Sequence, residues 1–206
     1  MAGSGRTRLG GAWLLLLLCA PPAWAAAGLS RVEIGQPAPA FTASGADGRD
    51  HRLSDFSGRV VVLEWTSPVC PYTQVKYRHG LMQTLQRRAA RQHVVWISID
   101  TAAPDRPGYL TAGAVMTRLR KLGAKPALFL FDPDGRIARS YGARTTPGMY
   151  VIGADGRLAY QGALDDDPQR DRPGLSDYVG AALDDLRLKR AVRIAETRPY
   201  GCAVEY

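Results

Sequence analysis

Arg59-Val60-Val61-Val62-Leu63-Glu64-Trp65-Thr66-Ser67-Pro68-Val69-Cys70-Pro71-Tyr72-Thr73 decides how this 206-residue chain folds. Val60–Trp65 is an apolar run rich in β-branched residues, interrupted only by Glu64, the pattern of a strand buried on both faces. Ser67-Pro68 turns the chain, and Pro71 suits the first position of a helix, where its missing N–H has no partner to lose. Cys70 therefore stands at a helix N-terminus. Unpaired backbone N–H groups there favour negative charge, so a thiolate gains over a thiol. A free cysteine titrates at roughly 8.5, and such a position lowers that by one to several units.

Outward from this stretch, strands and helices alternate. Phe41–Asp55 reads as an extended lead-in with a turn at Ala46-Asp47-Gly48. From Pro71 to Arg91 the residues Val75, Met82, Leu85 and Ala89 recur at helical spacing, interrupted at Gly80. His93–Asp100 predicts a second buried strand, Tyr109–Leu122 a helix after the Pro104–Gly108 loop, and Ala127–Phe131 a third strand. Asp132-Pro133-Asp134-Gly135 closes that strand, and Arg136–Tyr141 is a short helix or turn. Met149–Ile152 and Leu158–Gln161 flank Ala154-Asp155-Gly156, a hairpin signal. Ser176 is placed to cap a last helix running to Arg190, with Val179, Leu183 and Leu186 on its apolar face. Alternating β and α requires a mainly parallel sheet covered on both faces, and the hairpin makes it mixed. The expected class is α/β, a three-layer sandwich.

The first residues read as a leader rather than as fold. Arg6 and Arg8 precede the apolar Ala12–Ala20 segment, Pro21-Pro22 breaks it, and Ala23-Trp24-Ala25 and Ala25-Ala26-Ala27 offer cleavage sites. That segment is too short to span a bilayer, and no later one is a candidate. The reading is a signal peptide over 1–27, a domain over 32–190 and a tail over 191–206, in a protein secreted to the periplasm. Cys19 has Leu18 before it, where lipidation requires a small residue. Roughly 180 residues remain, enough for one domain with a substantial core. Of the three cysteines, the mature chain then keeps Cys70 and Cys202, which in an oxidising compartment have one possible pairing. The net charge of +8 comes mostly from scattered arginines, with no basic run interleaved with aromatics, so nucleic acid is not an expected partner. His51, His79 and His93 are dispersed, and no metal or other cofactor is expected.

With its elements in this order, the chain resembles the thioredoxin superfamily, and within it the redoxin branch of alkyl hydroperoxide reductase and thiol-specific antioxidant proteins. The likeness runs from about Val32 to Leu186 and implies a thioredoxin-like fold. Cys70-Pro71-Tyr72-Thr73 resembles a Cys-x-x-Cys active site with threonine in place of the second cysteine. Glu64, six residues before Cys70, falls where thioredoxins place a buried acid. Thr146-Pro147 matches the proline whose cis peptide faces the thiol. Ser67, three residues before Cys70, resembles the hydroxyl position of the peroxiredoxin loop, although Leu63 stands where that loop has proline.

The resemblance implies a thiol-dependent oxidoreductase in which Cys70 attacks a peroxide oxygen or a disulfide sulfur, with a thiol donor as reductant. Glu64 would shuttle a proton, Pro147 would hold the backbone open to an incoming chain, and Thr73 and Ser67 would donate hydrogen bonds to the thiolate. For Thr73 and Ser67 the alternative is to satisfy local backbone groups. Arg144 would polarise a peroxide, or else stand in solvent as a loop arginine. Cys202 would resolve oxidised Cys70, or form a structural bridge, or stay unpaired. The other class of function is a catalytically silent thioredoxin-fold binding module. Nothing in the residues sets the oligomeric state.

Overall fold

The computed structural model of the protein describes residues 1, 3, 32–169 and 176–205. The leader reading, with Cys19 and both cleavage sites, lies outside these residues except for Met1 and Gly3. The extended lead-in is a small hairpin, β1 (Thr42–Ser44) with β2 (Asp50–Arg52), followed by a 3-10 turn at Leu53–Phe56. Then come β3 (Val61–Thr66), α1 (Pro71–Arg78), α2 (Leu81–Arg91), β4 (Val95–Asp100), α3 (Ala112–Leu122), β5 (Leu128–Phe131) and α4 (Arg136–Tyr141). The chain continues through β6 (Thr145–Thr146), β7 (Gly148–Ile152), β8 (Leu158–Gly162), α5 (Tyr178–Arg187) and β9 (Cys202–Ala203).

Five strands form the central sheet in the order β5-β4-β3-β7-β8. β3 runs parallel to β4 and antiparallel to β7, so the sheet is mixed, with helices on both faces, as the sequence predicts. β3 is buried along its whole length, and its alternation splits the core in two. Val61, Leu63 and Trp65 face α4 and the β1–β2 hairpin through Ile137, Tyr141 and Phe41. Val62 and its neighbours face α1, α2 and α5 through Tyr77, Met82, Leu85, Val179 and Leu183. Each such fully buried aliphatic or aromatic side chain contributes roughly 1.5–3 kcal/mol. Among the described residues no helix is long and apolar enough to cross a membrane.

Two local expectations change. The long helix after Cys70 divides at Gly80, whose φ of +75° places it in the left-handed region that glycine enters without steric cost. The last helix is capped by Asp177, not Ser176, and ends at Arg187 rather than Arg190. The Asp177 carboxylate accepts from the Gly180 N–H at 2.7 Å, whereas the Ser176 N–H donates to Asp166.

Candidate active site

The end of β3 delivers the chain to Ser67-Pro68-Val69, and Cys70 is the N-cap of α1 with Pro71 at the first helical position. The loop is held from two sides, because the Pro68 carbonyl accepts from Gln74 Nε2 at 2.9 Å and from the Arg118 guanidinium at 3.1 Å. Cys70 is 1% exposed, and its Sγ donates to the Thr146 carbonyl at 2.8 Å. The Thr146–Pro147 peptide is cis. Thus Cys70, Thr73, Thr146 and Pro147 gather at one end of the sheet.

Cys202 joins them. The tail after α5 is stitched to the domain, not loose. Thr197 N–H donates to the Gln161 carbonyl at 3.1 Å, its hydroxyl meets Tyr160 Oη at 2.7 Å, and β9 pairs antiparallel with β6. That pairing sets Cys202 opposite Thr146 and Ala203 opposite Thr145, with Val204 N–H donating to the Arg144 carbonyl at 3.0 Å. The two thiols line one cavity, close enough for each to shift the titration of the other, and both are free.

The pair titrates unequally. Burial pushes the Cys70 thiol up, but the Cys202 thiol, the Thr73 N–H and the Cys202 N–H together hold it below the ordinary value. The Thr146 hydroxyl is near enough to add to this, though it lacks the alignment of a hydrogen bond. Cys202 is pushed up to about 11, first by burial and then by donating to Cys70 and lying beside its negative charge. Of the two, Cys70 at the helix N-terminus is therefore the thiol that loses its proton first.

Glu64 is fully buried on the α1 face of β3, and burial raises its pKa. Its oxygens accept from Tyr77 Oη at 2.8 Å, Trp96 Nε1 at 2.7 Å and Ser98 Oγ at 2.8 Å. The parallel register explains this, since Ser98 lies directly beside Glu64 on β4 and Trp96 two residues before it on the same face. Those bonds run to the core, with none to Cys70. Thr73 serves the sulfur through its backbone N–H; its hydroxyl is buried without a hydrogen-bond partner beside Thr66, Pro68 and Tyr77. The N–H of the third helical residue points back at the N-cap, while the side chain does not. Ser67 lines a cavity beside Cys70 rather than bonding its sulfur. The Arg144 side chain is exposed.

That cavity, about 100 Å³, is also lined by Asp100, Thr146 and Cys202. Asp100, at the end of β4, is 4% exposed, makes no side-chain hydrogen bond among the described residues, and is raised by burial to about 7. The one signal for it in the sequence was an acid closing an apolar strand, where the ends of parallel strands meet the site. Lys76, Asp165 and Tyr200 carried no signal at all. Lys76 Nζ, fully buried, bonds both Asp165 oxygens at 2.9 and 2.8 Å and the Asp167 carbonyl. Tyr200 Oη donates to the same carboxylate.

The sequence profile of the AhpC/TSA family matches residues 34–161. No curated protein matches the chain significantly. Among solved structures, an uncharacterised conserved protein of Geobacillus kaustophilus is 24% identical with a TM-score of 0.77, over 86% of this chain and 94% of that one. A hypothetical protein of Sinorhizobium meliloti is 20% identical with a TM-score of 0.76, over 86% and 96%. A Chlorobium tepidum protein described as a thiol:disulfide interchange protein DsbE is 23% identical with a TM-score of 0.55, over 77% and 97%. At these identities the likeness is one of fold.

Proposed function

Because the chain belongs to the AhpC/TSA family of thioredoxin-fold redoxins, we propose that it is an exported thiol oxidoreductase whose working couple is Cys70 with Cys202. One observation carries this: the tail strand sets Cys202 opposite Thr146, whose carbonyl accepts the Cys70 thiol, and both cysteines line one cavity. In a Cys-x-x-Cys protein the second thiol comes from the same helix turn. Here Thr73 occupies that place, and a residue 132 positions downstream of Cys70 supplies the sulfur. Export rests on the charged, apolar and small-residue order of residues 1–27.

The chemistry follows from the proton arrangement. The Cys70 thiolate attacks one sulfur of a disulfide, forming a mixed disulfide and expelling the other sulfur as a thiolate. Cys202 then gives up its proton and attacks the Cys70 sulfur, closing the Cys70–Cys202 bond and releasing the second substrate thiol. A reductant dithiol returns two electrons and two protons to the pair. The cis peptide before Pro147 and the Thr146 carbonyl face the attacking sulfur.

Peroxide as oxidant is the second reading, favoured by a cavity of only about 100 Å³ beside a thiol that is 1% exposed. Cys70 would take one peroxide oxygen as sulfenic acid, and Cys202 would condense with it, releasing water. No lysine or arginine lines that cavity to polarise a peroxide, so disulfide exchange comes first. The test is turnover with each oxidant in Cys70→Ser and Cys202→Ser proteins. Cys70→Ser abolishes both reactions, and Cys202→Ser leaves Cys70 in mixed disulfides or over-oxidised. A wild-type protein that turns over neither oxidant would make the fold a silent binding module.

A further inference from the structure

We propose that Lys76, Asp165 and Tyr200 are positioning residues that hold Cys202 against Cys70. This rests on the Cys70–Cys202 couple proposed above. Lys76 is on the helix that Cys70 caps, six residues further on, so its Cα lies about 9 Å along the same axis. Tyr200 is two residues before Cys202 in the tail, which places it within roughly 7 Å along the chain. The helix and the tail are therefore fixed to one another at two nearby points, one through Asp165 and one through the sulfurs.

The first point is strongly made. The Lys76 ammonium and the Asp165 carboxylate are both sealed from solvent and bonded at 2.8 and 2.9 Å. The Tyr200 hydroxyl adds a third bond to that carboxylate, the Lys76 ammonium lies 5.4 Å from the centroid of the Tyr200 ring, and the Tyr72 and Tyr200 ring centroids are 6.1 Å apart. Tyr200 is thus held by its hydroxyl and by its ring, both from groups on or bonded to α1. A buried ion pair is poor at adding stability, because desolvating both charges offsets their attraction. What it does well is fix geometry, since its partners accept few other arrangements. Between the two fixed points stands Gly201 alone, so little freedom is left to the tail sulfur.

An apolar cluster in the same place would cover the core equally, yet would leave the tail free to slide by a residue. A slide of one would turn Cys202 away from Thr146 and from Cys70. The anchor is what makes a thiol at the end of a chain behave as though it were in the helix turn.

The test is the equilibrium between dithiol and disulfide in glutathione buffers. There, one glutathione disulfide becomes two glutathiones as Cys70 and Cys202 lose two electrons and two protons. The linked peptide is quantified by mass spectrometry after acid quenching. Tyr200→Ala should shift the equilibrium roughly 10- to 100-fold toward the dithiol, the effect of losing one hydrogen bond to a charged group. Tyr200→Phe, which removes the hydroxyl alone, should shift it in the same direction. Arg198→Ala, an exposed change in the same tail, should leave it at the wild-type value. Tyr200 variants that melt earlier but titrate with wild type would reduce the anchor to a structural contact and overturn the proposal. A wild-type protein that forms no Cys70–Cys202 disulfide in any buffer would remove the functional reading, and this one with it.

Discussion

Thr146 and Cys202 face each other across a two-residue antiparallel pairing, and the Thr146 carbonyl also accepts the Cys70 thiol at 2.8 Å. One short bridge thus brings the tail cysteine, the cis peptide and the helix-start cysteine into a single contact. Gly201 makes that approach possible. At φ +133° it occupies backbone space that side chains rarely enter, and any Cβ there would run into the Thr146 carbonyl. Gly201→Ala should therefore lift the tail off β6 and reduce the yield of Cys70–Cys202 disulfide, read by non-reducing mass spectrometry. A yield equal to wild type would show that the tail tolerates a different path.

The unequal titration of the two thiols is directly measurable. Thiolate absorbance of the reduced protein should rise in two steps, the first below the ordinary thiol value and the second near 11. In Cys70→Ser the upper step should move down, because the charge and the hydrogen bond that Cys70 imposes on Cys202 are gone and burial alone still raises it. A single step of double height in wild type would mean that the two sulfurs do not interact.

Much of the architecture was legible because it is written in local period and punctuation. Val60–Trp65 could only be a buried strand, and Pro71 after Cys70 marked the helix start that the structure has. The cap of the last helix was misplaced by one residue, since Ser176 and Asp177 are both good caps and only the fold decides which oxygen reaches Gly180. The tail was illegible. Its anchor joins Lys76 to Asp165 across 89 residues and Asp165 to Tyr200 across 35, and each is a polar residue in an unremarkable context until the chain closes. The bonding of Glu64 was hidden for a related reason. Its depth in the strand could be read, but its three donors come from α1 and β4.

Glu64→Leu tests that network. The substitution keeps the side chain buried and leaves Tyr77, Trp96 and Ser98 without their acceptor. Each buried polar group left unsatisfied costs about 1–3 kcal/mol. Urea unfolding should show a loss of several kcal/mol, with Cys70 alkylation kinetics in the folded protein changed far less. A large change in those kinetics with stability intact would instead make Glu64 a proton shuttle for the thiol.

Asp100 predicts an unusual dependence of stability on pH. Its pKa is about 7 in the folded protein and 3.8 in the unfolded chain, so between these values the folded state holds the extra proton. Stability from this group is present in full below about pH 4 and declines as pH rises toward 7, by up to about 1.4 kcal/mol per unit. Asp100→Asn should flatten that slope and stabilise the protein most above neutrality, measured by denaturant unfolding across the range. A wild-type profile with no component in that window removed by Asp100→Asn would place the carboxylate in contact with water or a cation.

The two sulfurs of the disulfide are unequal targets for a reductant. In the disulfide form an incoming thiolate chooses between Cys70, 1% exposed, and Cys202, which is partly exposed. Attack at Cys202 expels Cys70 at the helix N-terminus, where the Thr73 and Cys202 N–H groups still favour its thiolate; attack at Cys70 would expel Cys202, which burial still raises. Access and leaving-group strength point the same way. When the oxidised protein is treated briefly with glutathione and then alkylated, the mixed disulfide should sit on the Cys202 peptide and the alkyl group on Cys70. The reverse distribution would mean that the tail swings away before exchange, and that Cys70 meets the reductant as well as the oxidant.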